Sequence, residues 1–231
     1  ISVDCNNKNY IYYEDSFILR KSSCGTNIYD SLVFSRRDIK KPIIPFFIQK
    51  IGPFAFENCK KLRTIIFPNN SELKVIEESA FVCSSLKTIK IPSSVHYIAS
   101  SAFSFCKNCY EVEIPNESKL EKIEKNAFTY SSINKISIPQ NVLAIGENSF
   151  GECKRLKYVR FSDHAKLLVI HNFAFYSTNI TSMSIPSSVL VLGNLIFCNC
   201  KNLQIIELPN NYFDVNDLFS NSTSLIIIIP A

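Results

Sequence analysis

The feature that most constrains this chain is a ladder of phenylalanines at fixed spacing. Phe34, Phe56, Phe81, Phe103, Phe128, Phe150, Phe175, Phe197 and Phe219 are separated by 22 and 25 residues in alternation, with 22 repeated at the end. A fixed period of this length marks a repeat architecture: one unit cannot bury its apolar face alone, but stacked units can. The repeat therefore overrides the one or two globular domains that 231 residues would otherwise suggest.

Within a turn the residue types are fixed as well. Five residues before the anchors from Phe56 to Phe197 stand Ile51, Ile76, Ile98, Ile123, Ile145, Ile170 and Leu192. A small residue precedes most anchors, as Ala55, Ala80, Ala102, Ala127, Ser149 and Ala174, with Ile196 the exception. A leucine-like position follows, filled by Leu62, Leu86, Cys109, Ile133, Leu156, Ile180 and Leu203. Next comes an I-x-I-P motif, as in Ile89-x-Ile91-Pro92 or Ile136-x-Ile138-Pro139; one copy, Val159-x-Phe161, lacks the proline.

The alternation in I-x-I predicts a short strand with one face buried. The proline ends it, because it brings no N–H to a ladder. The small-Phe pair predicts a tight turn of helix or 3₁₀, with the small residue allowing close approach. Stacking then gives a parallel sheet with one short strand per turn of 22–25 residues. Eight such strands would extend about 38 Å, at roughly 4.8 Å each. Residues 1–28 carry no repeat and are expected to form an N-terminal cap, with the repeats over 29–211. Residues 212–231 form a degenerate last repeat, with Asp214 where an aliphatic residue belongs. The apolar end at residues 225–229 has no polar cap, so a bare sheet edge there is expected to be covered by further chain, by a partner or by self-association. There is no initiator Met and no signal-peptide pattern in the first ten residues, as expected of a processed product or a part of something longer.

The register L-x-x-I-x-I-P-x-x-V-x-x-I-G-x-x-A-F-x-x-C resembles the BspA-type leucine-rich repeats of trichomonad and mucosal bacterial surface proteins. The match runs from about residue 29 to 230. It implies a leucine-rich repeat solenoid: a parallel sheet on the concave side and short helical or 3₁₀ turns on the convex side. It also implies a cell-surface or secreted location and adhesion to protein or glycan on host or microbial surfaces. An intracellular scaffold or ligand-sensing domain in the cytoplasm is the alternative, in keeping with many unpaired thiols. Extracellular leucine-rich repeat proteins often carry a disulfide in the cap, which by that analogy would be Cys5–Cys24.

Cys59, Cys106, Cys153 and Cys200 each fall three residues after an anchor, 47 apart. Column neighbours two turns apart are some 9–10 Å distant, beyond the roughly 7 Å Cα limit of a disulfide. They are expected to be buried packing residues. Cys83, in the turn between Cys59 and Cys106, is the one neighbour expected to lie within reach. Cys106-x-x-Cys109 has no second pair and no nearby histidine, so a zinc or redox role is not expected. His96, His164 and His171 have no motif-spaced Ser, Cys or carboxylate, and no phosphate loop or nucleophile elbow is present. No enzyme and no cofactor is expected.

The net charge of +5 is spread among both signs without a basic stripe, which argues against nucleic acid. No apolar run approaches the roughly 20 residues that span a bilayer. If the I-x-I residues point inward, their neighbours line the open sheet face: Arg63, Lys87, Lys90, Tyr110, Glu111, Glu113, Lys135, Lys157, Tyr158, Arg160, Gln204 and Glu207. This is the candidate binding face, since solenoids bind partners on such surfaces and Tyr and Arg dominate hot spots. Asn69, Asn116, Asn179 and Asn221 head N-x-[ST] sequons, acceptors if the chain enters a eukaryotic secretory route and otherwise residues suited to turns.

Overall fold

The computed structural model describes residues 3, 4, 6–22, 27–209, 217–220 and 226–228. The chain winds as a β-solenoid whose turns stack in parallel. Each turn contributes to two ladders rather than the one that alternation predicts. The first ladder is built by the I-x-I strands. Thr88–Lys90, Glu111–Glu113, Lys135–Ile138 and Tyr158–Phe161 form one parallel sheet; Ser182–Ser184, Ile205–Glu207 and Ile226–Ile228 form another. The second ladder uses the two-residue segments five positions before each Phe. Lys50–Ile51, Val75–Ile76, Tyr97–Ile98, Lys122–Ile123, Ala144–Ile145, Val169–Ile170 and Val191–Leu192 run in register through one ten-stranded sheet.

Between the two strands the proline carbonyl turns the chain. Val95 N–H donates to Pro92 O at 3.1 Å and Ser118 N–H to Pro115 O at 3.0 Å, and other turns repeat this. The N-terminal end is closed differently. An antiparallel hairpin, Tyr10–Tyr13 with Phe17–Arg20, joins Ser31–Ser35, which then pairs in parallel with Lys50–Ile51. Its tip places Glu14 and Asp15 both at φ 46°, the sign of a type I′ turn.

The predicted helical or 3₁₀ turns do not form among the described residues. The convex side is a chain of overlapping β-turns instead. Around Phe128, Ala127 N–H donates to Glu124 O, Thr129 N–H to Asn126 O and Ser131 N–H to Phe128 O. Positions two before and two after each anchor from Phe56 to Phe197 have φ between 52° and 61°, as in Asn126 (56°) and Tyr130 (58°). A positive φ at the third residue is what type II turns require. It frees alternate N–H groups to point along the solenoid: Asn126, Phe128 and Tyr130 donate to Glu147 O, Ser149 O and Gly151 O of the next turn at 2.8–3.0 Å. A helix would consume those donors internally and leave the neighbouring turn unsatisfied.

The core is a pile of columns. Phe56, Phe81, Phe103, Phe128, Phe150, Phe175 and Phe197 are fully buried and stack face to face. Centroid distances are 5.0 Å for Phe81–Phe103, 5.1 Å for Phe103–Phe128 and 5.4 Å for Phe128–Phe150, with the ring planes within 4° of parallel. The column continues to Phe219 at 5.6 Å. Its head is Phe17 from the hairpin, edge-on to Phe56 at 6.4 Å, rather than Phe34, which lies in its strand under the Arg37 guanidinium at 4.8 Å.

A second column alternates thiol and hydroxyl: Cys59, Ser84, Cys106, Ser131, Cys153, Thr178 and Cys200, all buried. Cys106, Cys153 and Cys200 thiols donate to the carbonyls of Phe81, Phe128 and Phe175 at 3.1 Å. Ser84, Ser131 and Thr178 hydroxyls meet the same sulfurs at 3.3–3.4 Å. Ser84, not Cys83, occupies the column between Cys59 and Cys106. Cys83 sits one position earlier at φ 57° and is free, as are the other described cysteines. Cys5 and Cys24 lie outside the described residues.

Candidate binding face

All twelve predicted face residues lie in solvent, seven of them (Lys90, Glu111, Glu113, Lys135, Tyr158, Arg160 and Glu207) through the period-two alternation of the strands and the other five in the segments leading into them. Arg63, Lys87, Lys90, Tyr110, Glu111, Glu113, Lys135, Lys157, Tyr158, Arg160, Gln204 and Glu207 are exposed, while the residues between them, such as Ile89, Val112 and Ile136, are buried. Register then decides who meets whom. Thr88, Glu111, Lys135 and Tyr158 form one row across four strands; Lys90 pairs with Glu113, and Ser137 with Arg160.

The face divides electrostatically. On its earlier turns Lys90 Nζ meets Glu113 Oε1 at 2.8 Å, a solvated pair worth little in stability but neutralising both groups locally. Beyond it, the outward residues of three consecutive I-x-I strands are Lys135 and Ser137, Tyr158 and Arg160, then Ser182 and Ser184. None carries a carboxylate. Lys135, Lys157 and Arg160 take part in none of the ion pairs among the described residues. Tyr158 stands at their centre with 62% of its surface exposed.

The missing proline shapes this place. With Ser at 162, the backbone N–H there donates to Ile138 O at 3.1 Å, and the strand pairs over four residues, Lys135–Ile138 with Tyr158–Phe161. Phe161 is left half-buried between two clefts, of about 230 and about 390 Å³. Arg160, Phe161 and Asp163 line both, with Ser137 and Asn116 closing one and Ser184 and Ser187 the other. Apart from Arg160, these cleft residues are absent from the twelve-residue face, although the lost proline of Val159-x-Phe161 was the visible signal.

Other candidates fall elsewhere. Cys106 and Cys109 fill the thiol and leucine-like columns. Burial pushes the Cys106 thiol up to about 12 and raises that of Cys109 further, so both stay protonated and make poor nucleophiles and metal ligands. His96 is half-buried beside Tyr97; His164 and His171 are exposed on different loops. Among the described residues no group of three His, Cys, Asp or Glu is placed to hold a metal. Asn69 and Asn116 sit exposed in equivalent loops. Asn179 is half-buried, with its amide oxygen held by the Asn202 side chain; Asn221 lies outside the described residues. Sequence reasoning also missed an apolar patch at and just before two strands of the ten-stranded sheet, where Leu168, Leu190 and Val191 are 40–64% exposed. None of the described residues forms a helix long and apolar enough to cross a membrane.

A family model, described as the BspA type leucine-rich repeat region, matches residues 26–128 and 121–231 in six copies. The chain belongs to the BspA-type leucine-rich repeat family. Among solved structures, a leucine-rich repeat protein from Bacteroides ovatus is 22% identical, with a TM-score of 0.65 over 98% of this chain and 71% of its own. A leucine rich cell surface protein from Faecalibacterium prausnitzii is 18% identical, with a TM-score of 0.45 over 96% of this chain and 93% of its own. The pneumococcal vaccine antigen PcpA is 15% identical, with a TM-score of 0.41 over 97% and 88%. None of the curated proteins compared matches the chain. At these identities the likeness concerns the fold.

Proposed function

We propose that the chain is a non-enzymatic recognition module of a cell-surface or secreted adhesin, binding macromolecules on host or microbial surfaces. The observation that carries this reading is the Tyr158 cluster: a highly exposed aromatic ring on a strand beside Lys135, Lys157 and Arg160, which take part in none of the ion pairs among the described residues. Exposed Tyr beside Arg is the composition of interface hot spots, and the stacked turns hold it without flexible loops. Family membership supports the surface location.

The test has two readouts on the protein in its native source. Antibody against the chain stains intact, unpermeabilised cells, and purified chain binds host epithelium or neighbouring microbes in a saturable way. Ala at both Tyr158 and Arg160 lowers that binding at least tenfold. Staining only after permeabilisation would favour the intracellular scaffold, and unchanged binding by the double variant would reject this face.

A further inference from the structure

From the composition of the Tyr158 cluster we infer the class of ligand it takes: an anionic saccharide chain carrying sulfate or carboxylate groups. This rests on the proposed recognition role and deepens it. Three observations converge. First, the charge is one-sided. Across the strands Lys135–Ile138, Tyr158–Phe161 and Ser182–Ser184 the outward residues include Lys135 and Arg160 and no carboxylate, with Lys157 adjoining; the carboxylates that border them are Glu111, register partner of Lys135 on the preceding strand, and the exposed Asp163, which lines both clefts. Unpaired cations on a fixed sheet attract and orient an anion, and a guanidinium matches the planar oxygens of sulfate or carboxylate with two parallel hydrogen bonds.

Second, the surroundings are short and hydroxylic. Ser137 is register partner to Arg160, and Ser182 and Ser184 form the outward side of the next I-x-I strand. Small side chains beside long ones leave a trough, and hydroxyls both donate and accept, as sugar hydroxyls do. Third, the Tyr158 ring offers an exposed apolar face with a polar rim at the middle of the trough. The flanking clefts of about 230 and about 390 Å³ are each large enough for a sugar ring, and Arg160 and Asp163 line both. An acidic peptide would be drawn by the same charge and its backbone amides also hydrogen-bond hydroxyls, so poly-glutamate is the discriminating comparison.

The inference is tested by titrating the purified chain with heparin, polysialic acid, hyaluronan, neutral dextran and poly-glutamate at low and physiological salt. Heparin reports sulfate; polysialic acid and hyaluronan report carboxylate. At least one anionic glycan binds more tightly than poly-glutamate, dextran does not bind, and added salt weakens the complex. Arg160→Gln and Lys135→Gln each weaken it roughly tenfold, the loss of one charge-assisted hydrogen bond. Tyr158→Ala weakens glycan binding but leaves poly-glutamate unchanged, and Lys90→Gln, on the neutralised part of the face, changes neither. Poly-glutamate binding equal to the glycans, or no binding by any glycan, overturns the inference. If cell binding still depends on Tyr158 and Arg160 in either case, the recognition role stands and its ligand is a protein.

Discussion

Replacing Phe128 with alanine tests the physical basis of the solenoid. Phe128 is fully buried and sits near the middle of the ring column, stacked on Phe103 at 5.1 Å and on Phe150 at 5.4 Å. Removing a buried ring from a close-packed site costs about 3–5 kcal/mol. Phe128→Leu separates packing from stacking. It retains most of the apolar volume and forfeits two ring pairs at about 0.5–1.5 kcal/mol each, roughly 1–3 kcal/mol in all. For a chain of this size one kcal/mol moves the midpoint by about 2–4 °C, so Phe128→Ala should lower Tm by roughly 6–20 °C. Because each turn contacts only its neighbours, a mid-column lesion also uncouples the two halves and broadens the transition. Far-UV circular dichroism melts and urea titrations measure both effects. Phe54→Ala is the matched control, since Phe54 is 47% exposed and outside the column, and should move stability by no more than about 1 kcal/mol. If Phe128→Ala costs less than about 1 kcal/mol, or no more than Phe54→Ala, the column does not hold the turns together.

Gly146→Ala should destabilise by about 1–3 kcal/mol in the same melts, because its Cβ would come within 2.5 Å of the Glu124 backbone carbon; a neutral result would refute the close turn-to-turn approach. Ser101→Gly should stabilise by about 0.5–1 kcal/mol, since Ser101 holds φ 57° without glycine's freedom, and a destabilised variant would contradict the assigned turn. The buried thiols set a pH dependence. Cys106 and Cys153 are raised from 9.0 to about 12 by burial, so the folded state holds their protons longer than the unfolded one. Their stability contribution is complete below about pH 9 and is lost as pH rises towards 12. Cys106→Ala with Cys153→Ala should therefore flatten the alkaline fall in stability relative to the parent, and an identical slope would reject the shift.

The columns were legible in the sequence because fixed spacing and residue type survive without knowledge of geometry. Phe and I-x-I positions recur from turn to turn, with a small residue before most anchors, and their burial follows from stacking. The second strand was not legible: Val75–Ile76 and its equivalents are two residues long, too short for an alternating signal. The convex turns misled in another way. Positive φ is normally advertised by Gly or Asn, and Asn58, Asn126, Asn148 and Asn199 do stand at those positions. Phe54, Phe105, Tyr130 and Leu195 occupy equivalent ones and hide the pattern, held there by inter-turn hydrogen bonds and, for Phe105 and Tyr130, by a ring stack at 4.7 Å. Phe34 fits the spacing yet loses the head of the column to Phe17, because spacing cannot see a hairpin folding back. On the candidate face, alternation was enough to predict which side chains within the strands reach solvent. Which cations are neutralised depends on register across 23 residues, as in Lys90 and Glu113, and only the fold supplies that.

The central claim is that recognition resides on the I-x-I face at Tyr158 and Arg160 and not on the outer sheet. Its most direct measurement is a paired comparison on immobilised native target cells. One variant carries Tyr158→Ala and Arg160→Gln; the other carries Lys122→Gln and Val191→Ser on the ten-stranded sheet, and melts confirm that both are folded. The first should lose at least tenfold in affinity and the second less than twofold. Loss confined to the second variant, or equal loss in both, would contradict the account.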